Sequence, residues 1–164
     1  MRAYGVVITA ACSFRLASTT SDGARSADGP PMMICPAAYQ SIGSAFPHGY
    51  RFVASMAAWL TAEQTCEGDG SGMHLIILDE PGEIAAVDAI SSASRWIGES
   101  DRVTSGTWLW VTGQAASPPG GSKSCGFYNA ASQGGTPGLD SDDCTATYAY
   151  VCECDQKVVD HASY

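Results

Sequence analysis

The sequence is poor in basic residues, and this excludes one large class of functions. Its 164 residues include only 8 Lys and Arg against 17 Asp and Glu, a formal net charge of −9 at pH 7. Nucleic-acid-binding domains neutralise phosphates with clustered Lys and Arg. We therefore expect no nucleic-acid partner.

Two further features are missing from the sequence. No stretch of about 18 consecutive apolar residues occurs, so no membrane-spanning helix is expected. The 7 cysteines include no Cys-x-x-Cys pair and no zinc-finger spacing, and Cys152-Glu153-Cys154 holds the only close pair. This pattern favours disulfides over metal ligation, and disulfides form in oxidising compartments. We expect an extracellular or cell-envelope location.

The first 12 residues predict an export signal. Arg2 precedes a short apolar run, Ala3 to Ala11, which ends in small residues directly before Cys12. Either this is a lipoprotein-type signal, with Cys12 carrying the lipid, or it is an ordinary secretion signal. A lipid on Cys12 would be the only attachment to a membrane. Residues 13–33 are rich in Ser, Thr, Ala, Asp and Gly and predict a disordered tether.

We place the folded domain at residues 34–155 and a frayed C-terminal tail at 156–164. Alternation and helical spacing predict an α+β class with two helices among strands. The predicted elements are a strand at Tyr50–Val53, a helix at Ser55–Cys66, a strand at His74–Leu78, a helix near Glu80–Ile90, and strands at Trp96–Gly98, Thr107–Val111 and Tyr148–Cys154.

The two helices carry different start signals. Ser55 is the expected N-cap of the first helix. Asp79 or Glu80 is the expected cap of the second, with Pro81 in its first turn and Glu83 complementing the helix dipole. The predicted core-facing residues of the second helix are Ile84, Val87 and Ile90.

Three strings in fixed order resemble the C-type lectin-like domain, in its long, bacterial form. They are Trp59–Cys66, Trp96-Ile97-Gly98-Glu99-Ser100-Asp101, and Thr107-Trp108-Leu109-Trp110 with Gly113. The resemblance extends over about Cys35 to Cys154. It implies two helices with small antiparallel sheets, stapled by disulfides, and buried positions for three tryptophans, Trp96, Trp108 and Trp110.

The resemblance also implies a cysteine pairing. Two bridges follow from the family pattern, Cys66 with Cys152 and Cys125 with Cys144. In the long form the two termini are neighbouring strands, which implies a third bridge between Cys35 and Cys154. Gly49 stands where the long form usually has another cysteine.

Calcium and sugar ligands of the family are poorly matched. The sugar-binding members use a Glu-Pro-Asn or Gln-Pro-Asp string and a later Trp-Asn-Asp string. Here Pro118 lacks the flanking ligands, and Leu139-Asp140-Ser141 stands at the later string. Asp140, Asp142 and Asp143 are the calcium candidates, and the alternative is a solvated acidic turn. The expected principal sugar site is degenerate, and no cofactor other than a possible calcium is implied.

The resemblance implies a surface binding module and no enzyme. The expected partner is a glycan or a protein, recognised without ordinary calcium-dependent sugar coordination. Two alternatives stay open: a calcium-dependent carbohydrate-binding lectin, and a cysteine-dependent enzyme on a related fold. The enzyme alternative requires free thiols at Cys125 or Cys144.

Overall fold

The computed structural model describes residues 35–130 and 137–164. The predicted signal at 1–12 with its Cys12, and the predicted tether at 13–33, lie outside the described residues. Within the described part of the chain, no helix is both long and apolar enough to cross a membrane.

The described residues form two helices and seven strands, which confirms the α+β class. The elements in chain order are β1 (Gly49–Ala57), α1 (Trp59–Glu67), β2 (Met73–Leu75), α2 (Glu83–Ile90), β3 (Arg95–Ser100), β4 (Leu109–Trp110), β5 (Cys125–Asn129), β6 (Gly138–Asp142) and β7 (Tyr148–Cys154).

All seven strands belong to one mixed sheet rather than to separate antiparallel ones. The main order is β1-β7-β3-β5-β6, with β2 added to β7 and β4 added to β3. The β3–β7 pair is parallel and the other pairs are antiparallel. Because β1 pairs with β7, the two ends of the domain are neighbours, as the long form implies.

Two apolar clusters hold the elements together. The first includes Trp59 of α1 and Trp96 of β3, both fully buried, and the second includes Val87 of α2 with Ile97 of β3. Trp96 donates from its indole N–H to the carbonyl of Ala57 at 2.8 Å. The polar edge of this buried ring is therefore satisfied.

The structure corrects both predicted helix starts. Ser55 caps nothing, because β1 continues to Ala57 in contact with β7 and α1 begins only at Trp59. Neither Asp79 nor Glu80 caps α2, and Pro81 precedes its first turn, because α2 begins only at Glu83 and Asp79 forms an ion pair with Lys157. The N-cap of α2 is Gly82, whose φ of +85° favours glycine. Strand pairing and a tertiary ion pair override the local signals.

The tryptophan prediction holds for one residue of three. Trp96 is fully buried, whereas Trp108 and Trp110 are half-buried. The predicted strand at Thr107–Val111 shrinks to Leu109–Trp110, because only these residues pair with β3. Ile90 of α2 was expected in the core but is 55% exposed.

The C-terminal segment is docked, and the prediction of a frayed tail is wrong. The Tyr164 ring meets the Trp59 ring edge-on at 5.5 Å between centroids, and its hydroxyl donates to Glu67 at 2.5 Å. The backbone N–H of Asp160 donates to the carbonyl of Val111 at 2.8 Å. Composition alone gave no sign of these contacts.

Three disulfides staple the fold, with the pairing that the resemblance implied: Cys35–Cys154, Cys66–Cys152 and Cys125–Cys144. The departure at Gly49 has a steric reason. A Cβ atom at this position would lie 3.1 Å from the Cys35 sulfur, closer than ordinary contact. Glycine leaves space for the Cys35–Cys154 bridge.

Candidate functional site

The candidate site is the loop face, which we define as residues 113–124 together with 138–144. Ser141 fastens its two parts to each other. The Ser141 hydroxyl donates to the carbonyl of Gly120 at 2.8 Å and accepts from the N–H of Lys123 at 3.1 Å. The N–H of Gly120 also donates to the carbonyl of Leu139, at 3.2 Å. The serine that replaces a family carboxylate therefore holds the loop to β6 with two side-chain hydrogen bonds, which together we call the Ser141 clasp.

The close contact between the loop and β6 also requires a glycine at position 121. Its φ is +83°, and a Cβ there would lie 2.5 Å from Asp140 Oδ1 and 2.6 Å from the Ser141 hydroxyl. A side chain at this position would collide with both groups. The glycines that follow the prolines of this loop thus permit a close approach of the loop to β6.

The three calcium-candidate aspartates each serve a local turn. Asp140 Oδ1 accepts from the N–H of Ser141 at 2.8 Å. Asp142 accepts from the N–H of Asp143 at 2.7 Å and from the Tyr148 hydroxyl at 2.7 Å. Asp143 Oδ1 accepts from the N–H and hydroxyl of Thr145 at 3.0 and 2.8 Å. The carboxylates are committed to separate partners.

Calcium in proteins takes about six to eight oxygen ligands converging on one point. Within residues 35–130 and 137–164, none of these three aspartates belongs to a group of three His, Cys, Asp or Glu residues with ligand atoms within 4.8 Å. These three carboxylates therefore do not converge on one point in the described structure. The hydrogen bonds from the backbone N–H and the hydroxyl of Thr145 also lower the pKa of Asp143, so its carboxyl stays ionised.

A polar pocket opens beside the loop face. Its cavity is about 360 Å³, and it is lined by Arg102, Ser122, Lys123, Ser124, Asp143 and Cys144. The backbone N–H of Asp101 donates to the carbonyl of Ser124 at 3.1 Å, which joins the two segments that supply the cations. This pocket was not anticipated from the sequence, because its two basic residues lie 21 positions apart.

Glu99 is buried next to the loop face without a hydrogen bond. It is fully buried, and neither carboxyl oxygen has a hydrogen-bond partner among the described residues. Burial raises the pKa of Glu99 from 4.5 to about 8. Its neighbour on β5 is Gly126, where a Cβ would lie 2.3 Å from Glu99 Cγ. The glycine gives the carboxyl its space.

A second polar cluster lies at the C-terminal end of β7. His48 Nδ1 lies 2.6 Å from Glu153 Oε1, and His74 Nε2 lies 2.9 Å from Asp155 Oδ1. Lys157 Nζ lies 2.8 Å from the other oxygen of Asp155. Although the ligand-type atoms of His48, Glu153 and Asp155 lie within 4.8 Å of one another, the lysine already supplies a positive charge there.

The pKa values in this cluster follow from the pairing. Burial alone would lower the pKa of His74, but the hydrogen bond to Asp155, the charges of Asp155 and Glu153 and the hydrogen bond to the Leu75 carbonyl together outweigh it, and the pKa is raised. Burial alone would raise the pKa of Asp155, but His74 and Lys157 outweigh it and the pKa falls well below its usual range. The cluster is an internal ion-pair network.

Sequence reasoning missed this cluster because its members are far apart in the chain. Strand alternation held one usable signal: Cys152 and Cys154 point to one face of β7, so Glu153 between them points to the other. Glu83 was assigned to the helix dipole, but it is fully buried and accepts from the Tyr50 hydroxyl at 2.5 Å. Burial, followed by the charge of Glu153, raises the pKa of Glu83 to about 8.

The sequence profile of the family described as Lectin C-type domain matches residues 55–154. The chain belongs to this family. The match includes every strand and helix of the described fold except the start of β1, and it contains the loop face and the polar pocket.

One curated relative is the mouse protein C-type lectin domain family 4 member F. It is 35% identical over 79 residues, which are 48% of this chain but only 14% of that protein. The chain therefore spans a small part of the length of this relative.

Solved structures share the fold. The mouse scavenger receptor C-type lectin carbohydrate-recognition domain has a TM-score of 0.61 at 18% identity, covering 77% of this chain and 100% of that one. A calcium-independent type II antifreeze protein has a TM-score of 0.60 at 23% identity, covering 78% and 97%. Human lithostathine has a TM-score of 0.58 at 19% identity, covering 73% and 90%. These names are of lectins, antifreeze proteins and lithostathine, and none of the three is named as an enzyme.

Proposed function

We propose that this domain is an exported binding module that recognises a glycan through its loop face, without calcium coordination at the family's usual position. The observation that carries the proposal is the arrangement of Asp140, Asp142 and Asp143. Each accepts hydrogen bonds from its own turn or from Tyr148. Because these carboxylates serve separate turns and do not converge on one point, we infer that other groups of the loop face bind the ligand.

The rigidity of the loop face supports a binding role. Ser141 joins the loop at residues 120–123 to β6, and Cys125–Cys144 joins the start of β5 to the turn after β6. A ligand that meets a preformed surface loses less affinity to the ordering of loops. Export is supported by the three disulfides, which persist in oxidising compartments. The lipid attachment at Cys12 remains a prediction. The bacterial origin of the sequence also remains a prediction.

The cysteine-dependent enzyme is the weaker alternative. All six cysteines at residues 35–154 of the described structure are paired, including Cys125 and Cys144. Thiol counting on denatured, non-reduced protein tests this directly. A free thiol at Cys125 or Cys144 would reopen the enzyme alternative.

Binding of the full chain to an immobilised glycan array, with calcium and separately with a chelator, tests the proposal. We expect saturable binding to at least one glycan under both conditions. Ser141→Ala removes two hydrogen bonds of the clasp, each worth about 1 kcal/mol, and should weaken binding by roughly three- to tenfold. Ser55→Ala is the matched control, since Ser55 is exposed on β1 and lies outside the loop face.

Absence of any glycan binding by a folded, disulfide-intact chain would overturn the proposed function. Equal weakening by Ser141→Ala and Ser55→Ala would place the site elsewhere. If binding requires calcium and Asp140→Ala abolishes it, the domain is instead a calcium-dependent lectin.

A further inference from the structure

Two of the described basic side chains have no carboxylate oxygen within 4.0 Å. Among residues 35–130 and 137–164, Arg51, Arg95 and Lys157 each have a carboxylate oxygen within 4.0 Å. Arg102 and Lys123 are the described cations that do not. Both line the same polar pocket of about 360 Å³ beside the loop face.

Backbone hydrogen bonds join the two segments that carry these cations. The Asp101 N–H bond to the carbonyl of Ser124 joins their two segments, and the Lys123 N–H bond to the Ser141 hydroxyl fixes the second segment to β6. The Arg102 guanidinium lies over the Trp59 ring, 5.7 Å from its centroid. This cation–π contact uses the face of the guanidinium and not its N–H donors, which can bind a ligand.

The remaining lining groups are polar and of both hydrogen-bonding kinds. Ser122 and Ser124 carry hydroxyls that donate and accept, and Asp143 is an acceptor whose Oδ1 already holds Thr145. Among the described residues, no aromatic or aliphatic side chain lines the pocket, whereas protein interfaces are anchored by such side chains in desolvated pockets. A ligand with several hydroxyls and an anionic group matches this lining better than a peptide does.

We propose that this pocket binds the carboxylate of a singly charged acidic saccharide between Arg102 and Lys123. The proposal rests on the proposed glycan-binding function and names the chemical class of its ligand. The ring hydroxyls meet Ser122, Ser124 and Asp143. Uronic acids and sialic acids supply the same carboxylate chemistry.

Charge sets the limit to one anionic group. Asp143 borders the pocket, and the chain as a whole carries −9. Screening in physiological salt acts over about 8 Å, so a carboxylate between the two cations is attracted while further anionic groups meet a negative surface. Polysulfated chains are therefore expected to bind no better than a single acidic residue.

Titration calorimetry of the full chain with glucuronate and with glucose tests the proposal, since these sugars differ only in the carboxylate. We expect glucuronate to bind at least tenfold more tightly than glucose, and its affinity to fall in high salt. Lys123→Gln and Arg102→Gln should each weaken glucuronate binding by about tenfold, while Lys123→Arg should preserve it. Gln64→Glu is the charge control: it lies exposed on α1 and lowers the net charge by the same unit as Lys123→Gln.

Each other outcome would overturn the proposal. Equal affinity for both sugars, or equal effects of Lys123→Gln and Gln64→Glu, would refute an acidic-saccharide pocket. Binding of acetate as tight as that of glucuronate would show a simple anion site, and binding of an acidic peptide without glucuronate would show a protein-recognition site. Array binding to neutral glycans, unchanged in Lys123→Gln, would leave the proposed function standing and this inference refuted.

Discussion

Replacing Glu99 by Gln tests the protonation state of the buried carboxyl group in β3. Glu99 is fully buried with neither oxygen hydrogen-bonded among the described residues. Burial raises its pKa to about 8, so below that pH the folded protein keeps the proton that the unfolded chain loses from about pH 4.5 upwards. Folding stability must fall as the pH rises through this window. Gln is uncharged and nearly isosteric, so Glu99→Gln removes this loss.

The size of the effect follows from the two pKa values. One pKa unit corresponds to about 1.4 kcal/mol, so a rise from 4.5 to about 8 corresponds to about 5 kcal/mol at most. The stability of Glu99→Gln relative to the wild type should therefore improve by up to about 1.4 kcal/mol for each pH unit between 5 and 8. Above pH 8 the difference should level off. Glu63 and Glu83 have pKa values raised to about 8 as well, and both stay in the variant, so the difference isolates Glu99.

Urea unfolding of the oxidised protein at pH 5, 6, 7, 8 and 9 measures this difference. Glu80→Gln is the matched control, because Glu80 is exposed before α2, and its stability difference should not grow with pH. If the difference in unfolding free energy between Glu99→Gln and the wild type stays constant from pH 5 to 9, the pKa of Glu99 is not raised in the folded protein. It would mean that the carboxyl titrates alike in the folded and unfolded chains.

Two further substitutions test neighbouring parts of the structure. Gly126→Ala places a Cβ 2.3 Å from Glu99 Cγ and should destabilise the fold by about 1–3 kcal/mol; the cost should shrink in a Glu99→Ala background, and an equal cost in both would contradict the contact. Asp155→Asn breaks the buried pair with His74 and should cost about 3–5 kcal/mol by chemical unfolding. The pKa of Asp155 is lowered and that of His74 is raised. The pair therefore stabilises the fold most between the unfolded pKa values of about 3.8 and 6.5, and this stabilisation weakens as the pH falls below or rises above that range. A destabilisation by Asp155→Asn that does not change with pH would contradict this.

The sequence predicted the scaffold because its signals are local and ordered. The strings at Trp59–Cys66, Trp96–Asp101 and Thr107–Gly113 identify the family, and the family pattern carries the cysteine pairing. The helix starts were wrong for a different reason. The Ser55 side chain is well suited to cap a helix, but Ser55 lies within β1, which pairs with β7. Tertiary pairing outweighs a local cap worth about 1 kcal/mol.

The site itself was only partly accessible from the sequence. The replacement of a family carboxylate by Ser141 was visible, but its role as a clasp to Gly120 and Lys123 depends on the fold. The pocket joins Arg102 to Lys123, and the polar cluster joins His48 to residues 153–157. Neither group of residues can be recognised from a spacing in the sequence, because long-range strand pairing brings them together.

The proposed function requires that the loop face binds its ligand without calcium. Titration calorimetry with the strongest glycan found on the array, once in calcium and once in excess chelator, gives the two dissociation constants to compare. We expect them to be equal within about twofold, since Asp140, Asp142 and Asp143 are held by their own turns. Binding that appears only with calcium and is lost in Asp140→Ala would contradict it.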